Sequence, residues 1–149
     1  MSLEKKLLED MKSAMKGGDK IRLETIRGVR AQIKNAQIEK GGELNEEQII
    51  QVLMSAAKKR KEAIEQYSAG GRQDRADLEA QELKIIESYL PEQMGAEEIA
   101  GMVDETIREV EAVSIKDMGK VMGAIMAKVK GKADGNIVQK LVREKLAKL

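Results

Sequence analysis

Hydrophobic positions recur at three- and four-residue intervals along nearly the whole chain, the period of an α-helix with one buried face. Leu3, Leu7, Leu8, Met11, Ala14 and Met15 form the first stripe, which stops at Gly17-Gly18. Asp19 is placed to cap the next helix, whose stripe is Ile26, Val29, Ile33 and Ala36 and which ends near Gly41-Gly42. Asn45 with Gln48 spells a capping box, and Leu44 with Ile49 a hydrophobic staple, so the start of the third helix is doubly specified. That helix runs through Leu53, Ala56, Ile64 and Tyr67 to about Ala69, where Gly70-Gly71 breaks it. A fourth follows from about Asp74 to Tyr89.

Pro91 is the only proline. It lacks an N–H and pushes Leu90 out of helical conformation, so "LPEQMGA" reads as a linker. The expected division is an N-terminal helical domain, 1–90, and a C-terminal three-helix domain, 91–149. In the second, Ile99, Met102, Val103, Ile107 and Val110 mark the fifth helix. Ser114 with Asp117 resembles a capping box for the sixth, and Gly131 stands where a C-terminal cap glycine belongs. Asp134 can cap the seventh, with Ile137, Val138, Leu141, Val142 and Leu146 as its apolar positions. No stretch alternates with period two over strand length, and no repeat or low-complexity tract interrupts the pattern. The fold class is all-α.

Composition sharpens this picture. The 149 residues are 42% hydrophobic, yet the aromatics are only Tyr67 and Tyr89, so the core is built from aliphatic residues, alanine and methionine. There is no cysteine and no histidine, which removes thiol nucleophiles, imidazole bases and ordinary zinc sites. No phosphate-cradling G-x-x-x-x-G-K-[ST] loop is present. The charged opening "MSLEKKLLEDMK" holds no apolar signal core, and no apolar run approaches the ~18 residues of a membrane span. A soluble, cytoplasmic helical protein without cofactor or metal, and without a catalytic set of its own, is expected.

Two constellations invite a functional reading. Glu79 and Glu82 fall inside the apolar arc of the fourth helix, and Arg60 falls on the inner stripe of the third. Two inward acids suit a metal or a general-acid pair; an interhelical ion pair with Arg60 is the plainer expectation. The second is "MGKVMGAIMAKVKGKADGN", Met118 to Asn136. Its helix carries Gly119 and Gly123 on one side, each costing about 1 kcal/mol relative to alanine. Met118, Val121, Met122, Ile125, Met126 and Val129 make the core arc, while Lys116, Lys120, Lys128 and Lys130 share the rest with small residues. The glycines either let a neighbouring helix approach or let a polyanion backbone approach between lysines.

Charge placement bears on that choice. The formal net charge is only +1, but Glu92 to Ser114 holds seven acids and one base, whereas Ile115 to Leu149 holds nine bases and three acids. The C-terminal domain is therefore dipolar, and its turn "KGKADG" with the last two helices suits RNA phosphates. Few aromatics argue against base stacking, so contact would be with backbone and shape.

"MGKVMGAIMAKVKGKADGNIVQKLVREKL" resembles the closing segment of the GatB/YqeY family, and "IRGVRAQIKNAQIEK", "KKRKEAIEQYSAGGR" and "ELKIIESYLPEQM" resemble earlier blocks of its free-standing YqeY-like members. The resemblance covers nearly the whole chain. It implies an all-helical protein in two parts with a compact three-helix end. The same module forms the tail of the B subunit of tRNA-dependent amidotransferase, where it is associated with tRNA positioning; the glutamine-dependent carbon–nitrogen ligase chemistry resides in other parts of that enzyme. By residue match, Gly119, Lys120, Gly123, Lys130, Gly131 and Lys132 carry the shared signature, with Lys116 beside them. The resemblance thus implies a noncatalytic module binding tRNA or a tRNA-handling enzyme. The alternatives are a protein–protein adaptor without RNA contact and an accessory subunit of an amidotransferase.

Overall fold

In a computed structural model, which describes residues 2–149, the chain is all-α, with seven α-helices and one 3₁₀ turn among the described residues. It divides into two compact units, one ending at Pro91 and the other running Glu92–Leu149.

The first unit contains α1 (Leu3–Gly17), α2 (Lys20–Lys40), α3 (Glu46–Ala69) and α4 (Gln73–Glu87). Local signals set most of the boundaries. Asp19 accepts from the Arg22 amide at 3.2 Å to open α2. Asn45 and Gln48 exchange reciprocal 2.9 Å bonds to open α3. α1 ends at Gly18, whose φ of 71° is the left-handed conformation that glycine adopts without steric cost. α4 stops two residues earlier than expected: Tyr89 and Leu90 donate to Ile86 and Glu87 in the tighter i→i+3 pattern, since Pro91 cannot continue a helix. α3 packs along α4, α1 along α2, and α2 touches both α3 and α4. The core holds Leu7, Ile26, Val29, Ile33, Ile49, Leu53, Ala56, Ile86 and Tyr89. Each large aliphatic side chain buried there stabilises the unit by about 1.5–3 kcal/mol.

The second unit contains α5 (Ala96–Glu109), the 3₁₀ turn Ile115–Asp117, α6 (Met118–Val129) and α7 (Gly135–Ala147). Val103, Val121, Ile125, Val129, Val138 and Val142 are wholly buried at its centre, with Met94, Met102, Met118, Met122 and Met126 filling the margins. The segment after Pro91 is anchored in this unit. The Met94 amide donates to the Lys132 carbonyl at 2.9 Å, and Gln93 Nε2 donates to the Gly131 carbonyl at 2.9 Å. Gln93 and Met94 thus belong to the packed C-terminal unit.

Candidate functional site

α6 has two unlike sides. Val121, Ile125 and Val129 seal it to the core, while Gly119, Gly123 and Ala127, four residues apart in turn, are exposed. A Cβ built on Gly119 or Gly123 meets no atom within 4 Å. The glycines therefore do not admit a neighbouring helix of their own unit, which is one of the two readings of their spacing. They leave a low strip of exposed backbone. At 100° per residue Lys120 lies on the flank of that strip, and Lys116 stands in the 3₁₀ turn just before α6; both are exposed.

The start of α6 is held by its own local chemistry. Ser114 and Asp117 form a capping box, as the sequence suggests, but it opens a 3₁₀ turn before α6 begins at Met118. Asp117 Oδ2 accepts from the Val113 amide at 2.8 Å and the Ser114 amide at 3.2 Å. Those two bonds hold its carboxyl below the ordinary carboxylate range, with nearby Lys120 adding to the effect.

The other signature residues separate by role. Lys132 is exposed at its side chain, while its amide donates to Val129 at 2.8 Å. Lys130 is likewise exposed, at the end of α6. Gly131 is buried and takes no part in the open face. Nor does it cap α6 directly: Lys130 has φ −55° and ψ 123°, Gly131 has φ 76°, and Lys132 bonds back to Val129. These values describe a type II turn, whose third residue needs positive φ; hence the glycine. Lys128 and Lys145 are drawn out of the basic surface. Lys128 Nζ donates to Glu109 Oε2 at 2.6 Å and to Thr106 Oγ1 at 3.2 Å, and Lys145 Nζ lies 2.8 Å from Asp104. The acidic α5 thus neutralises part of the charge surplus, and Lys128 in turn holds the Glu109 carboxyl below its usual range.

In the first unit, Arg60, Glu79 and Glu82 come within electrostatic reach of one another, but the contact differs from the expected ion pair. Burial first, then the neighbouring Glu79 carboxylate, push the Glu82 carboxyl above its ordinary range, and Arg60 only partly opposes this. Arg60 Nε is buried without a hydrogen-bond partner, and none of the contact ion pairs among the described residues involves Arg60. Among the described residues no three carboxylates converge to hold a metal ion. A second cluster escaped sequence reasoning. Tyr89 donates its hydroxyl to Asp10 Oδ2 at 2.5 Å, Arg22 lies 3.8 Å from the same oxygen, and Lys6 sits 5.4 Å above the Tyr89 ring. Tyr89 and Asp10 are 79 residues apart, and no local pattern announces their meeting.

The architecture defines a class: an all-helical chain whose three-helix unit presents a low, glycine-bearing helix face beside exposed lysines. The chain belongs to the family of Yqey-like proteins, whose family model matches residues 4–146. It is 28% identical over 142 residues to "Altered inheritance of mitochondria protein 41, mitochondrial" of Pyrenophora tritici-repentis, covering 93% of this chain and 78% of that one. It is 38% identical over 84 residues to the protein of the same name from Kluyveromyces lactis, covering 56% of this chain and 45% of that one. A shorter match, 38% identical over 60 residues, is to a glutamyl-tRNA(Gln) amidotransferase subunit of Thermococcus gammatolerans, covering 38% of this chain and 10% of that one. The chain is thus related to a small part of an amidotransferase component.

The mitochondrial names of the first two relatives overturn the cytoplasmic expectation. That expectation rested on a charged opening and on the lack of a membrane-length apolar run, and neither separates one aqueous compartment from another. No helix among the described residues is long and apolar enough to cross a membrane.

Proposed function

We propose that the C-terminal unit is a noncatalytic tRNA-binding module that seats the phosphate backbone against the exposed strip of α6. The observation that carries this reading is the open space over Gly119 and Gly123 beside exposed Lys116 and Lys120. A missing side chain lets a bulky backbone come close, and lysines on the flank supply point charges for phosphates. Lys132, exposed on the turn after α6, extends the basic edge. Relatedness to part of an amidotransferase named for glutamyl-tRNA is consistent with it.

The test is a salt series of tRNA binding by the full chain. Replacing Lys116, Lys120 and Lys132 together by Gln should weaken binding and flatten the log–log salt slope by up to about two to three units, at about 0.7–0.9 per lost phosphate contact. An unchanged slope and affinity in the triple variant would refute the reading. Partner capture that survives high salt and needs the glycines but not the lysines would instead mark a protein–protein adaptor.

The amidotransferase match favours one further possibility, an accessory role in glutamine-dependent amidation of a misacylated tRNA, with the chemistry performed by other polypeptides. Adding the chain to such an enzyme should then lower the KM for tRNA and leave kcat unmoved; no change in either would exclude it.

A further inference from the structure

We infer that a groove between α1 and α2, in the first unit, is a binding site for a small organic polyanion carrying phosphate groups. The groove encloses about 490 Å³. Its volume falls in the range of about 300–1,000 Å³ typical of small-molecule sites.

The floor is apolar. Leu7 and Leu8 come from α1 and Ile33 from α2; Leu7 and Ile33 are almost completely buried, so the bottom is sealed by the core. The walls are basic. Arg27, Arg30 and Lys34 lie at i, i+3 and i+7 along α2, one face of the helix, and Lys5 enters from α1. Among the described residues the one carboxylate lining the groove is that of Glu4, which is held at one end by a 3.0 Å bond from Gln37 Nε2. Four cations therefore face one anion.

Arg22, Arg72, Lys128 and Lys145 each have a carboxylate oxygen within 4 Å; among the described residues, none of the four groove cations appears in such a pair. Arg30 instead points Nη1 at Met11 Sδ, 3.3 Å away. A thioether is a weak acceptor and a guanidinium carries five donors, so most of the Arg30 fork is unused. Like charges at these helical spacings repel, and a multiply charged anion relieves all of them together. Two arginines suit phosphate, which takes bidentate hydrogen bonds. The leucine–isoleucine floor suits a flat or apolar body attached to it.

The inference does not rest on the tRNA proposal, which concerns the other unit. It is tested by calorimetric titration of the full chain with ATP, inorganic pyrophosphate, adenosine and tRNA. Saturable ATP binding is expected, with adenosine inert and pyrophosphate weaker for want of the floor contact. Arg27→Gln/Lys34→Gln changes two exposed residues, so the fold should persist, and circular dichroism checks that. It should weaken ATP about tenfold or more, a loss easily resolved by titration. Arg30→Gln should do the same, while Lys116→Gln/Lys120→Gln/Lys132→Gln should leave ATP binding unchanged. Absence of saturable ATP binding, or equal affinity in a folded Arg27→Gln/Lys34→Gln variant, overturns the proposal. Loss of tRNA binding in that variant, with no ATP binding by the wild type, also overturns it and makes the groove a polymer surface.

Discussion

Gly123→Ala separates an open helix face from a covered one. In an exposed helix interior alanine is better than glycine by about 0.8–1.0 kcal/mol. A Cβ at Gly123 meets nothing within 4 Å, so no overpacking term opposes that gain. The full gain is therefore expected, and Gly119→Ala, at the second residue of α6, should contribute less. A gain of about 1 kcal/mol is roughly a fivefold change in the folded-to-unfolded ratio. Amide hydrogen exchange at Val121 and Ile125 reads this directly, because both are wholly buried on the same helix and report the stability of that unit alone. Their protection should rise about fivefold where exchange follows unfolding of that unit. Tyrosine fluorescence provides a control, since both tyrosines lie in the first unit and the second has none. Under the tRNA proposal the same methyl should weaken tRNA binding, and Gly123→Leu more so. Reduced amide protection in Gly123→Ala would refute the reasoning, for it would mean that a partner or a second copy already packs on the strip.

Tyr89→Phe removes the hydroxyl bond to Asp10 and should cost about 1–3 kcal/mol by urea titration, the usual range for a partly buried bond to a charged acceptor. Burial first, then the bond to Asp10, push the Tyr89 phenol above its ordinary 10.0. A raised folded-state pKa contributes stability that is complete below the unfolded pKa and lost as pH rises through the folded one; wild-type stability should thus fall above about pH 10, and the Phe variant should lack that component. Glu82→Gln should stabilise the first unit at neutral pH, because Glu82 is raised by burial and by Glu79. Its contribution is complete below the unfolded carboxylate pKa and fades as pH rises through the folded one, so the variant should flatten the pH–stability curve on the acid side of neutrality. A variant that loses stability at pH 7 would show that Arg60 outweighs both effects.

What was legible in the sequence was what is local along it. The Asn45–Gln48 box and the Asp19 and Asp134 caps each bond within three residues, and the structure has them. The buried arc of α6 follows from period alone. Gly131 shows where local reasoning fails: a helix-capping glycine and the third residue of a type II turn both need positive φ, and they differ in the backbone at Lys130, which the residue types do not specify. Lys128 was assigned to the basic face because its partner Glu109 sits on another helix, 19 residues away. The α1–α2 groove was invisible for the same reason. The period of α2 puts Arg27, Arg30 and Lys34 on one polar face, and only the packing of α1 supplies the opposite wall. For Arg60, periodicity puts the residue and the two acids on inner stripes, but it cannot say that burial and Glu79 act on Glu82 more strongly than Arg60 does.

An open glycine by itself decides little. Gly101 in α5 is also exposed with nothing within 4 Å of a Cβ, and Gly28 in α2 has the same room. What distinguishes α6 is the pairing of two such glycines on one face with lysines beside them, on a helix of only 12 residues. Isolated helices of that length are marginal even without glycine; Gly123 adds about 1 kcal/mol of cost, and Gly119, in the first turn, adds less. Core burial of Val121, Ile125 and Val129 offsets it, at about 1.5–3 kcal/mol each. Tertiary packing can therefore hold the helix while its outer face stays low, and nothing in the packing requires those glycines. Gly101→Ala is the matched control. It should raise protection of the α5 amides about as much as Gly123→Ala raises that of α6, because both sites are exposed helix interior. It should leave tRNA affinity untouched, since α5 is acidic on its outer side. If Gly101→Ala and Gly123→Ala weaken tRNA equally, the effect comes from rigidity of the unit. If only Gly123→Ala does, the low strip is the contact.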